Sequence, residues 1–173
     1  MRVLLQRVSR ARVEIDDEVV GAIDQGLLIF VGAGEGDDAR TAQSMADKAA
    51  NLRMFPDEQG KTNLSLLECE GAALVVSQFT LYADCRRGRR PSFSEAADPE
   101  TAETLVDLFR TRLESMGIHT ASGRFAAHMI VASENVGPFT ILLDSEVLAR
   151  PRRGGHSAGA TCDTPSDASD REM

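Results

Sequence analysis

Two short stretches hold the residues best suited to chemistry. Ser77-Gln78-Phe79-Thr80-Leu81 lies at the end of an apolar run, and Asn135-Val136-Gly137-Pro138-Phe139-Thr140 opens the last one. At a strand end the N–H groups of Ser77 and Gln78 lose ladder partners and must find others. Freed N–H groups can hold a developing oxyanion, often a large contribution to acyl transfer. Thr80 brings a hydroxyl that could attack an ester, but a hydroxyl is a weak nucleophile unless a base activates it. No base adjoins Thr80 in the sequence, and a β-branched residue also simply suits a pleated strand. Gly137 admits backbone angles closed to other residues, and the bond before Pro138 is of the kind that can be cis. A turn between strands is the plainer reading of that pair.

Other machinery is sparse. The histidines are His119, His128 and His156, with no H-E-x-x-H and no His/Cys cluster, so neither a bound catalytic metal nor another cofactor is expected. There is no G-x-S-x-G elbow. Ser77, His128 and Asp84 could still meet as a triad, although His128 lies in an apolar segment where a strand-face histidine is the blander account. Cys69, Cys85 and Cys162 lack paired spacing, which argues against a disulfide scaffold or zinc knuckle and fits a reducing, cytoplasmic setting. Arg86-Arg87-Gly88-Arg89-Arg90 packs guanidinium groups into one short stretch. Such groups suit phosphates, though a basic run is also an ordinary solvated loop.

Bulk charge narrows the partners. A net charge of −8 over 173 residues means that any RNA contact must be local, not a general coating. No apolar run approaches the roughly 20 residues that span a bilayer, so no membrane partner is expected. The first residues, Met1–Val8, read as a strand and not as a signal peptide.

The elements that must position these residues follow from periodicity. Strands are expected over Met1–Val8, Ala11–Ile15 and Glu18–Ile23, with Asp16-Asp17 as a hairpin turn. Leu27–Gly32 is apolar on both faces, like a covered central strand. A helix runs from an N-cap at Asp37 to about Asn51, with Ala39, Ala42, Met45, Ala46 and Ala49 on one face. Arg53–Phe55 is a short strand, and Ala72–Tyr82 a long one. A loop over 83–97 carries the arginines. A second helix starts at Asp98-Pro99-Glu100 and stops at Gly117. Ile118–Ser122, Met129–Ser133 and Phe139–Leu143 complete the strands. The fold class is α/β: a β-rich single domain over 1–150, with helices covering one face. Residues 151–173, rich in Gly, Ser, Asp and Pro, are expected to be a disordered tail.

With those residues in view, the chain resembles the D-aminoacyl-tRNA deacylases, which remove D-amino acids from tRNA. The likeness runs from Met1 to about Ser145 and includes MRVLLQRV, GKTNLS (60–65), VVSQFTLYAD (75–84), RRGRRPSF (86–93), Gly123-Arg124-Phe125 and Asn135–Ser145. It implies a homodimer of β/β/α layers with two main helices. It implies that one subunit inserts Gly137-Pro138, as a cis dipeptide flanked by Asn135 and Thr140, into its partner's site. The carbonyls there would engage the amino group of a D-aminoacyl ester, and an L side chain would collide with the backbone. Glycine would pass. It further implies that Gln78 and Phe79 offer backbone N–H groups, and that Thr80 is either the nucleophile or a positioning residue beside the terminal ribose hydroxyl. Arg86, Arg87, Arg89 and Arg90 are the expected tRNA contacts. The segment Ala126–Ile130 departs from the family pattern at His128 and Ile130. Two alternatives stay open: an editor of an L-aminoacyl-tRNA, and a tRNA-end binding module without turnover.

Overall fold

A computed structural model describes residues 1–150; the expected disordered tail lies outside the described residues. Its organising element is one long strand, β1 (Arg2–Ile15), where two were expected. Along one edge β1 pairs first with β3 (Gly26–Gly32), through Arg2–Val8, and then with β2 (Glu18–Ile23), through Ala11–Ile15. Along its other edge β8 (Ile130–Asp144) runs antiparallel for nearly its whole length. One strand with two successive partners looks like two strands in sequence.

The register of β1 slips around Arg7 and Ser9, and the slip changes which core its side chains enter. Val3 and Leu5 join the helix-side core, whereas Val8, Ala11 and Val13 join a second core between the sheet halves. Since strand residues alternate faces, such a slip lets one strand serve both.

The sheet continues from β3 to β6 (Ala72–Ser77) and β7 (Thr120–Ser122), both parallel additions. β3 and β6 are buried on both faces: Leu27, Ile29, Ala73 and Val75 face the helices, and Leu28, Leu74 and Val76 face the second core. Curling of β2 toward β7 makes the sheet barrel-like. A hairpin of β4 (Phe55–Pro56) and β5 (Thr62–Leu64) stands beside it.

Helices α1 (Ala39–Asn51) and α2 (Pro99–Ser115) pack on each other and on one sheet face. Asp98 caps α2 by accepting from the Thr101 N–H at 3.0 Å, and Gly117 takes φ +86° just past its end. The cap of α1 is Asp38, not Asp37: its carboxylate accepts from Thr41 N–H at 2.7 Å. Asp37 is drawn away because its carboxylate takes the Gly34 N–H at 2.7 Å and the Met1 amino group. Asp16 and Asp17 do form the β1–β2 turn, with φ of 51° and 65°.

Two further expectations are corrected. β6 stops at Ser77 rather than Tyr82, since its last pairing partner in β3 is Val31. Phe79–Tyr82 then closes into a 3-10 turn. The segments expected as separate strands, Met129–Ser133 and Phe139–Leu143, are one strand, β8, with Gly137-Pro138 inside it. A short helix, α3 (Ser145–Ala149), follows directly, capped by the Asp144 carboxylate on the Glu146 and Val147 N–H groups.

Candidate active site

Where β6 ends, its chain turns over the mouth of a cavity of about 610 Å³. Val31, Val76 and Val131 line it from the sheet, Met129 from the segment just before β8, and Ala102 and Val106 from α2. Phe79, Phe93 and Phe125 supply aromatic walls, while Ser77, Gln78 and His128 are the polar contributors. The Phe79 ring is 56% exposed and meets the Phe93 ring edge-on at 5.0 Å. A large ring left in water beside an apolar hollow is a stacking surface awaiting a partner.

The turn gives the backbone chemistry a definite form. The Gln78 N–H is not free: it donates to the Val31 carbonyl at 2.8 Å, the last rung beside β3. The expectation of a freed group therefore fails at Gln78 alone. The N–H groups of Phe79 and Thr80 find no acceptor among the described residues. The Gln78 side-chain amide donates to Thr80 Oγ1. That amide is not a base, and no carboxylate or imidazole among the described residues bonds to the Thr80 hydroxyl. Of the conceivable triad, Ser77 and His128 both line the cavity. Asp84 is turned instead to Arg86, with contacts of 2.8 and 2.7 Å.

The second motif lies elsewhere. None of Asn135, Gly137, Pro138 and Thr140 lines the cavity. Residues Val136–Phe139 form a wide bulge in β8 facing Arg7 alone, because Gln6 pairs Thr140 and Val8 pairs Asn135. The Gly137-Pro138 bond is cis, and Gly137 has φ +121°. Asn135 and Thr140 close the neck of the bulge. Asn135 Nδ2 donates to Thr140 Oγ1 at 2.9 Å, and Asn135 Oδ1 accepts from the Phe139 N–H at 3.0 Å.

Arg7 was not singled out from the sequence, yet it holds this bulge. Its guanidinium donates to the Val136 carbonyl at 3.3 Å and to the Met54 carbonyl at 2.7 Å. It also lies 4.9 Å from the centroid of the Phe139 ring. Nothing in the sequence around Arg7 marks the carbonyls it reaches.

In the arginine loop, Asp84 and Ser92 exchange backbone bonds of 2.7 and 3.0 Å, and Gly88 turns the tip with φ +69°. Arg86 pulls the Asp84 carboxyl down to about 2 through its side-chain bond, so this pair stays ionised and engaged at neutral pH. Arg87, Arg89 and Arg90 are exposed and have no acidic partner among the described residues. The loop's remaining free charge is thus theirs. Phe93, packed on Phe79, ties the loop to the turn.

No three His, Cys, Asp or Glu side chains gather as metal ligands among the described residues, and no described helix is long and apolar enough to cross a membrane.

The chain is similar to known proteins. A family model described as D-Tyr-tRNA(Tyr) deacylase matches residues 4–144. A D-aminoacyl-tRNA deacylase of Roseiflexus sp. (strain RS-1) is 59% identical over 152 residues, covering 88% of this chain and 98% of that protein. One of Thermomicrobium roseum is 57% identical over 155 residues, covering 90% and 98%. A solved structure titled c-Myc DNA Unwinding Element Binding Protein superposes with TM-score 0.78 at 34% identity, over 83% of this chain and 98% of that one. A probable eukaryotic D-amino acid tRNA deacylase shares the fold, with TM-score 0.72 at 17% identity over 82% and 97%. A model match across most of the chain, joined to this level of identity, places the chain in the D-Tyr-tRNA(Tyr) deacylase family.

Proposed function

We propose that the protein hydrolyses the ester bond of D-aminoacyl-tRNA, releasing a free D-amino acid and intact tRNA. The observation that carries this reading is the pair of unengaged N–H groups, Phe79 and Thr80, at the mouth of an apolar, aromatic-walled cavity. A flat nucleobase suits such walls, and the ester at its ribose would then lie against the turn. The N–H groups would stabilise the oxyanion of the tetrahedral intermediate. The attacking oxygen is that of water, assisted by the neighbouring ribose hydroxyl, while the esterified ribose oxygen leaves with a proton; the protein's part is to position.

The chiral filter is assigned to Gly137-Pro138 of a second copy. Within one chain this motif does not line the cavity it would guard, so on this reading a single chain carries two half-sites. A homodimer exchanging these bulges completes both. Exposed Val136 at the bulge, with Leu142 and Val147 beyond it, is a surface such pairing would cover. Backbone at that place would collide with an L side chain and admit a D side chain or glycine.

The decisive assay is hydrolysis of D-tyrosyl-, L-tyrosyl- and glycyl-tRNA by chelator-treated protein. Loss of the D and glycyl esters with the L ester intact is expected. Loss of the L ester alone would mean an L-specific editor, and binding without cleavage would mean a tRNA-end module.

Two further results follow. Thr80→Ala is expected to keep kcat within about tenfold of the unmodified protein, since an unactivated hydroxyl adds little to the attack. Complete loss of turnover in a folded Thr80→Ala dimer would make Thr80 the nucleophile. Replacing Arg87, Arg89 and Arg90 by Ala is expected to raise KM with kcat nearly unchanged. It should also flatten the salt dependence of binding, by about 0.7 in log–log slope for each phosphate that is no longer neutralised. An unchanged slope would take this loop off the RNA.

A further inference from the structure

We propose that Arg2 is a positioning residue for the reaction, acting through the carbonyl of Leu81. The inference rests on the functional reading above and adds a residue to it.

The 3-10 turn Phe79–Tyr82 is the part of the site that must not move, because it aims the Phe79 and Thr80 N–H groups. Its entry is pinned by the Gln78–Val31 backbone bond. Its exit is pinned differently. A turn this short leaves its terminal carbonyls without helical donors. The Thr80 carbonyl accepts from the Ala83 N–H at 3.0 Å, but Leu81 takes its donor from a distant strand. Arg2 Nη1 reaches the Leu81 carbonyl at 2.9 Å.

The same guanidinium is fixed from two other sides. It lies 4.4 Å from the centroid of the Tyr82 ring, and its Nε donates to Asp144 Oδ2 at 3.2 Å. Tyr82 is in turn buried against β3. A Cβ on Gly34 would come within 2.5 Å of that ring, so the ring lies directly on the backbone. Its hydroxyl donates to Asp37 at 3.4 Å. The turn is therefore held between glycine backbone on one side and Arg2 on the other.

Arg2 does not line the cavity. Its loss should leave the cavity's shape, and so ground-state binding, nearly intact. It should free the exit of the turn to rock and spoil the aim of donors that matter most in the transition state. Small errors of that kind are large in rate. An interaction expressed only in the transition state appears in kcat, not KM.

The test is single-turnover and steady-state hydrolysis of D-tyrosyl-tRNA by Arg2→Met, Arg2→Lys and Arg12→Met, well below each variant's unfolding temperature. Met keeps the stem over Tyr82 but no donor; Lys keeps charge and one donor. Arg12, exposed on the same strand and paired with Glu14, is the control. The expectation for Arg2→Met is a kcat lower by about 10- to 100-fold with KM within about twofold. Arg2→Lys should recover part of the loss, and Arg12→Met should match the unmodified protein. Hydrogen exchange at Tyr82 and Ala83 should quicken in Arg2→Met while β3 stays protected. If Arg2→Met does not fold, Asp144→Asn, which loosens the guanidinium without removing it, should lower kcat in the same direction. Unchanged kcat in a folded Arg2→Met, or in Asp144→Asn where Met fails to fold, would overturn the proposal. So would a loss confined to KM. An unmodified protein that cleaves no aminoacyl ester fails at an earlier step: the functional reading falls, and the assignment of Arg2 falls with it.

Discussion

Gly137→Ala is expected to reduce hydrolysis of the D-ester by about 100-fold, the scale of loss that follows misplacement of a positioning group. At φ +121° an L residue is strained, by about 1–3 kcal/mol. The added Cβ would also sit 3.0 Å from an Arg7 guanidinium nitrogen. The bulge must shift, and with it the two carbonyls assigned to the substrate's amino group. The cavity in that same chain stays whole. A second variant, Ala127→Trp, does the reverse by filling the cavity mouth while leaving the bulge alone. Each homodimer should be nearly inactive. Unfolded and refolded together, they should recover about a quarter of the unmodified activity. Random pairing makes half the dimers mixed, and each mixed two-fold dimer has one intact site and one doubly damaged. No recovery in demonstrably mixed dimers would place cavity and bulge of one chain in the same site.

Arg7→Ala should produce the other large effect, in both stability and rate. A charge-assisted bond such as that to the Met54 carbonyl contributes about 1.5–3 kcal/mol. Its removal also strands the Val136 carbonyl and bares the Phe139 ring. A loss of about 2 kcal/mol is expected in denaturant unfolding. Turnover should fall by about 100-fold because the bulge loses its brace. Arg7→Lys should rescue neither, since one ammonium cannot bond two separated carbonyls and lie over a ring. An Arg7→Ala protein with unchanged turnover would mean that the bulge keeps its shape without Arg7.

Much of the architecture was legible in the chain because local rules and tertiary packing agree there. The start of α2 at Asp98-Pro99 and its stop at Gly117 are local signals, and so is the Asp16-Asp17 turn. Leu27–Gly32 betrayed its central place by being apolar on both faces. The misreadings share a cause: each depends on what a neighbour does. Ala72–Tyr82 is strand-like throughout, but β6 ends where β3 ceases to pair with it. Asp37 satisfies the rules for a cap, but remote groups claim its carboxylate, and Asp38 caps instead. Gly137-Pro138 has the chemistry of a turn, and only the pairing of both flanks with β1 makes it a bulge. Among candidate site residues, those with unusual local chemistry could be singled out in advance. Arg2 and Arg7 could not, because an arginine near the start of a strand carries no mark of the carbonyl it will reach.

Those two arginines stand on the same strand, one holding the turn and the other the bulge. A strand advances about 3.3 Å per residue, so β1 sets the two arginines about 17 Å apart along its axis, and on the proposed reading it would be a gauge for the two half-sites. In a symmetric pair, each copy would carry the same gauge, and the fit of bulge into cavity would be set twice by one length. Side chains between Val3 and Gln6 could then vary within the limits of packing. A single insertion or deletion among them could not, because it would turn one arginine to the opposite face of the sheet and put both sites out of gauge together.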